Sequence, residues 1–137
     1  LVAARHSQAK KIICVELNPV AVKYAKENIE LNKMQDRVEV IEADASDLPP
    51  RLRACFDRIV MPLPHSAIDF LPSALTALKK KGIVYLYAFV GKENTARLLM
   101  KKISSLANGR KIHLKSSRKV LDYAPGVKEV MLTLRVE

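Results

Sequence analysis

Apolar positions change their period several times along the chain, and each change marks an element. Residues 12–15, Ile-Ile-Cys-Val, make an apolar run of strand length that ends in the carboxylate of Glu16. Asn18 then offers a helix N-cap and Pro19 a first-turn residue, the arrangement that a helix start prefers. Over 20–32, Ala21, Val22, Ala25 and Ile29 recur at helical spacing and leave Lys23, Lys26, Glu27 and Glu30 for solvent. After a turn at 34–36, residues 37–42 alternate polar and apolar as a strand does. Ala43-Asp44-Ala45 follows at once, a second acid at a strand end, one βαβ repeat after the first.

The second half continues the alternation. A loop at 47–50 and one helical turn at 51–54 lead to a strand at 56–61, which runs straight into Pro62-Leu63-Pro64-His65-Ser66. Ala67, Phe70, Leu71, Ala74, Leu75 and Leu78 mark an amphipathic helix, with Lys79-Lys80-Lys81-Gly82 reading as its capped stop. Residues 83–90 are too continuously apolar to face water on one side, as central parallel strands are. A helix is predicted over 92–107, with Ala96, Leu99, Met100, Ile103 and Leu106 inward, broken by Asn108-Gly109. Residues 111–121 and 128–136 read as an antiparallel pair at the sheet edge, joined through 123–126. Residues 1–11 look like the tail of a helix. The whole pattern is α/β, a mostly parallel sheet with an antiparallel finish.

Composition narrows this. A chain of 137 residues with 49% hydrophobic content is the size of one domain, 1–137, with ample core. No apolar run approaches the ~20 residues of a membrane span and no signal peptide is visible, which points to the cytoplasm. Cys14, in a strand expected to be buried, and Cys55 read as free thiols of a reducing compartment, and they form no metal-ligand pattern with the three histidines. A net charge of +10 favours a polyanionic partner, nucleic acid above others.

Three stretches carry candidate chemistry. Carboxylates at the C-terminal tips of parallel strands, such as Glu16 and Asp44, can accept hydrogen bonds from ribose hydroxyls; equally, Glu16 can be a surface residue and Asp44 an Asx-type turn former. The 62–66 loop lies where a parallel sheet opens its ligand crevice, or is a rigid strand-to-helix turn. Arg110, Lys111, Lys115, Arg118 and Lys119, with no acid until Asp122, form either a phosphate-contacting face or a solvated edge strand protected by charge.

Val15-Glu16-Leu17-Asn18-Pro19, Ala25 through Asn32, Ala43-Asp44-Ala45 and Asp57 through Pro64 with Ala67 close behind resemble the archaeal and eukaryotic tRNA (guanine-37-N1)-methyltransferase family. Its wybutosine-pathway relatives, which transfer an aminocarboxypropyl group from the same cofactor, share the pattern. The resemblance implies a Rossmann-like class I S-adenosylmethionine (SAM)-dependent methyltransferase fold acting on N1 of guanosine 37 of tRNA, with SAM as cofactor and no metal. It implies that Glu16, beside Leu17 and Asn18, binds the ribose, and that Asp44 with Ala45 lies by the adenine amino group. It places Met61 at the cofactor and Pro62, Leu63 and Pro64 around the methyl group and target base; because Pro62 has no side-chain donor, the base is expected to be held by backbone groups of 63–66. The alternatives it leaves are aminocarboxypropyl transfer to the same tRNA position and a non-catalytic RNA-binding remnant. A nucleotide-binding oxidoreductase would share the acids but not the proline loop or the antiparallel finish.

Two departures from the family pattern stand out. Members commonly carry Asn where this chain has Pro62, which has no side-chain donor. The Gly-rich loop and upstream base-activating residues are not found, so the chain reads as the C-terminal part of such an enzyme, inactive by itself. Methyltransferase sheets set their first strand between those ending at Glu16 and Met61, so those two are expected to pair directly, leave a gap or borrow a strand.

Overall fold

Leu1–Asp47 and Leu48–Glu137 form two compact units of the computed structural model, which describes residues 1–91 and 95–137. In the first unit, α1 (Val2–His6) precedes β1 (Ile12–Glu16), α2 (Pro19–Leu31) and β2 (Val38–Glu42). The two strands pair in parallel, from Ile12 opposite Val38 to Glu16 opposite Glu42. The expected cap of α2 forms: the Asn18 side-chain oxygen accepts from the N–H of Val20 at 2.9 Å and of Ala21 at 3.4 Å, and Pro19 opens the helix. Ala4, Ile29 and Val38 are buried together, with Ile12, Met34 and Val40 packed against them. The Arg37 guanidinium ties the segment before β1 by donating to the carbonyls of Ser7 (3.2 Å) and Ala9 (2.6 Å). Cys14, expected to be buried, is exposed, because it lies outside the apolar cluster that Ala4, Ile29 and Val38 form with Ile12, Met34 and Val40.

The second unit holds a four-stranded sheet in the order β3-β4-β6-β5. Its strands are β3 (Phe56–Met61), β4 (Leu78–Val90), β5 (Ile112–Ala124) and β6 (Val127–Val136). β3 and β4 are parallel; β6 runs antiparallel to both β4 and β5. α3 (Leu71–Ala77), entered through a 3₁₀ turn at Ala67–Phe70, and α4 (Ala96–Ser105) supply Leu71, Leu75, Leu99 and Ile103 to one core. Val84, Leu86 and Ala88 of β4 and Val130, Leu132, Leu134 and Val136 of β6 meet them there.

Several sequence expectations change here. α3 ends at Ala77, and Lys79-Lys80-Lys81-Gly82 belongs to β4 rather than to a helix stop. These residues bulge from the ladder: β3 advances from Phe56 to Arg58 while β4 advances from Leu78 to Ile83. Lys81 takes a left-handed φ of 59°, and Gly82 is needed because a Cβ there would stand 2.6 Å from Leu78 Cγ. β4 is central, yet only its Val84, Leu86 and Ala88 face is buried; Tyr85, Tyr87 and Phe89 stay half-buried on the other. α4 starts at Ala96, behind a Thr95 cap that accepts from the Leu98 N–H at 3.4 Å; Lys92, Glu93 and Asn94 of the expected helix lie outside the described residues. Ala96, expected inward, is exposed. β5 extends to Ala124, so the hairpin turn is Pro125-Gly126 alone, with Gly126 at φ 75°. Among the described residues β1 pairs only with β2, and β3 only with β4, so the strands ending at Glu16 and Met61 do not pair with each other.

Candidate active site

In the first unit, the β1–β2 register brings both candidate acids to the C-terminal end of one parallel pair. Glu16 is exposed, and its Oε1 accepts the Asn18 N–H at 2.8 Å, which orients the carboxylate across the start of α2. The Glu16 carbonyl accepts the Ala43 N–H at 3.1 Å and so carries the pairing one step past the strand ends. Asp44, also exposed, accepts the Ser46 N–H at 2.7 Å, and its carbonyl accepts from Asp47 at 3.1 Å. Its backbone bond to Ser46, and then the Ser46 side chain, hold the Asp44 carboxyl below the usual aspartate range. Leu17 is exposed beside Glu16, and Ala45 is half-buried beside Asp44. Both acids therefore stand as solvent-facing acceptors. Asp44 also makes the Asx-type turn that the sequence left open.

In the second unit, the loop after β3 is a tight turn. The Leu63 carbonyl accepts the N–H groups of Ser66 (3.0 Å) and Ala67 (2.6 Å), so two backbone groups expected to hold a base are engaged within the loop. Pro62 and Leu63 are exposed and Pro64 half-buried. The Met61 side chain is 7% exposed and lies in the core, so only its backbone can face a ligand. A shallow cavity of about 360 Å³ adjoins the loop, lined in part by Pro64, His65, Ile68, Tyr87 and Lys102.

Beside this loop stands a feature that the sequence did not disclose. The His65 ring meets that of Phe89 edge-on at 4.6 Å and that of Tyr123 at 5.9 Å, while the Phe89 and Tyr123 rings lie 4.1 Å apart. These residues come from the 62–66 loop, the end of β4 and the end of β5. No local period links them; the parallel β3–β4 and antiparallel β4–β6–β5 pairings assemble them.

The basic stretch divides in two. Lys111, Lys115, Arg118 and Lys119 are exposed on or beside the edge strand β5. Arg110 has a different task. Its Nη1 donates to the carbonyls of Leu75 (2.7 Å) and Leu78 (3.1 Å), its Nη2 to that of Lys79 (2.9 Å) and its Nε to that of Glu137 (3.3 Å). Arg110 thus provides the helix-end capping that the sequence suggested for Lys79–Lys81. Lys119 pairs with Asp122 at 2.5 Å, a bond that, ahead of the charge of Lys128, draws the Asp122 carboxyl below its usual range.

Among the described residues no group of three or more His, Cys, Asp or Glu side chains could hold a metal, and no helix is long and apolar enough to cross a membrane.

Comparison with known proteins places these features in one family. The model of the TRM5/TYW2 methyltransferase domain matches residues 1–115, which takes in both acids, the 62–66 loop and part of β5. The chain is 30% identical over 131 residues to the tRNA (guanine(37)-N(1))-methyltransferase Trm5b of Pyrococcus abyssi, covering 94% of this chain and 38% of that protein. It is also 30% identical over 136 residues to the tRNA(Phe) (4-demethylwyosine(37)-C(7)) aminocarboxypropyltransferase of Methanocaldococcus jannaschii, covering 98% of this chain and 53% of that one. The chain thus spans about half the length, or less, of these curated relatives. The crystal structure of M. jannaschii TYW2 in complex with AdoMet superposes with a TM-score of 0.88 at 32% identity, covering 98% of this chain and 61% of that one. The fold is the Rossmann-like α/β fold of class I SAM-dependent methyltransferases, and an antiparallel strand pair ends the four-stranded sheet. The chain belongs to the TRM5/TYW2 methyltransferase domain family.

Proposed function

We propose that this chain is part of a SAM-dependent tRNA-modifying transferase of the cytoplasm that methylates N1 of guanosine 37, its two units being parts of one methyltransferase domain. One observation carries the reading: Glu16 and Asp44 stand as exposed acceptors at the tips of paired parallel strands. That donor set fits SAM. The hydroxyls of a ribose diol and an adenine amino group can each donate a hydrogen bond, and two carboxylates can accept them. The family match spans both units, which supports the single-domain reading.

In this reading Glu16 accepts from the ribose hydroxyls while the Asn18 N–H keeps its carboxylate in place. Asp44 accepts from the adenine amino group, and Ser46 stabilises its charged form. When bound, SAM would supply a sulfonium-activated methyl carbon for N1 of the base, with S-adenosylhomocysteine as the leaving group and the N1 proton passing to a base supplied by the full-length protein or to solvent. The stiff 62–64 loop positions the base, and orientation of that kind supplies much of the acceleration in group transfer. Lys111, Lys115, Arg118 and Lys119 contact tRNA phosphates.

Aminocarboxypropyl transfer is the second reading. It is favoured by Pro62, which lacks the side-chain donor with which an Asn would hold a guanine edge, and by equal identity to relatives of both kinds. SAM carrying tritium in the methyl group and radiocarbon in the carboxyl group separates the two. Incubated with the full-length protein and tRNA bearing guanosine at position 37, it should deliver tritium alone, and none to tRNA bearing adenosine there. Transfer of radiocarbon to tRNA bearing 4-demethylwyosine at position 37, the base on which the aminocarboxypropyltransferase relatives act, would establish the second reading, and transfer of neither label to either tRNA would overturn both.

A further inference from the structure

We propose that the His65–Phe89–Tyr123 cluster is a stacking platform for an unpaired nucleobase of the RNA; this deepens, and rests on, the tRNA reading above. Tyr123 keeps 54% of its surface exposed although it is a large ring at the end of a strand. It is nonetheless held in place: its ring lies 4.1 Å from that of Phe89, tilted by 37°, and both rings meet His65. An aromatic face fixed before any ligand arrives spends little entropy on binding a planar partner.

Its surroundings select that partner. Lys115 and Arg118 are exposed on the strand that ends at Tyr123, where Lys119 pairs with Asp122 and Lys128 stands opposite Asp122 on β6. Cations that follow a strand, with an exposed ring at its end, are the elements of single-stranded nucleic-acid recognition: phosphates track the charges and a base stacks on the ring. His65 belongs to the 62–66 loop, so a base on this platform lies next to the loop proposed to orient position 37. Every base has a π-face, so the platform reads the presence of a splayed base and not its identity. A cluster serving only to pack the hairpin would affect stability and leave RNA binding alone.

The test uses the full-length protein and an anticodon stem-loop RNA with fluorescent aminopurine at position 37 or at either neighbour. Wild-type protein should quench the fluorophore at one or more of these positions. Tyr123→Leu should lose that quenching and weaken RNA binding about ten-fold, with SAM affinity by calorimetry unchanged. Tyr123→Phe, which keeps the ring, should retain both properties. If Tyr123→Leu quenches and binds as wild type does, or Tyr123→Phe is as impaired as Tyr123→Leu, the platform is refuted while the tRNA reading stands. If the wild-type protein binds no RNA, both fall.

Discussion

At the scale of single residues, the site depends on side chains whose geometry is set by neighbours two residues away. Glu16 is oriented by the Asn18 N–H, and Asp44 by the Ser46 N–H. The Asp44 carboxyl, depressed in the folded chain, contributes stability above its unfolded pKa and loses it as pH falls through the lower folded value. Its carboxyl carbon, followed by NMR through an acid titration, should therefore show a midpoint below that of an unfolded aspartate; a midpoint at or above it would remove the Ser46 bond from the account. Arg110 is the residue whose role is least apparent from sequence. It sits in a basic string, yet its guanidinium is committed to four carbonyls, three of them around the end of α3. Arg110→Lys cannot reproduce that fork and should cost on the order of 2 kcal/mol, seen as a lower Tm. An unchanged Tm would return Arg110 to the pool of cations available to RNA.

At the scale of elements, strands and helices were largely legible because their periods are strong. Asn18-Pro19 announced α2, and the alternation over 37–42 announced β2. The misreading at Lys79–Gly82 has a physical cause: three lysines and a glycine suit a helix end and a strand bulge equally, and only pairing with β3 decides. β4 is less buried than its apolar run implies, because aromatic residues count as apolar whereas Tyr85, Tyr87 and Phe89 lie on the half-buried face. Two elements carry predictions. In the loop, Pro64→Ala should lower the single-turnover rate more than it lowers SAM affinity, and Pro62→Asn should be tolerated or mildly beneficial; a full rate in Pro64→Ala would reduce the loop to a strand-to-helix turn. On β5, neutralising Lys111, Lys115, Arg118 and Lys119 should flatten the salt dependence of tRNA binding by roughly 0.7–0.9 log units for each phosphate left without its cation. An unchanged slope would make β5 a solvated edge.

At the scale of the molecule, charge and local motifs spoke more clearly than long-range assembly. The acids at 16 and 44 were visible because a βαβ repeat spaces them, and the structure sets them on adjoining strand tips. The aromatic trio was not visible, because 65, 89 and 123 meet only once β3, β4, β6 and β5 are laid side by side. The division into two units, each with its own sheet, was likewise beyond local pattern, since apolar period says which residues face inward and not which strands pair. What joins these observations is the claim that the paired strand tips hold SAM through Glu16. Calorimetric titration of SAM into the full-length protein and its Glu16→Ala variant tests that claim most directly. Loss of a charged acceptor should weaken binding by about 1.5–3 kcal/mol, a drop of roughly ten-fold or more, with the fold intact by circular dichroism. Equal affinity in the two proteins would contradict it.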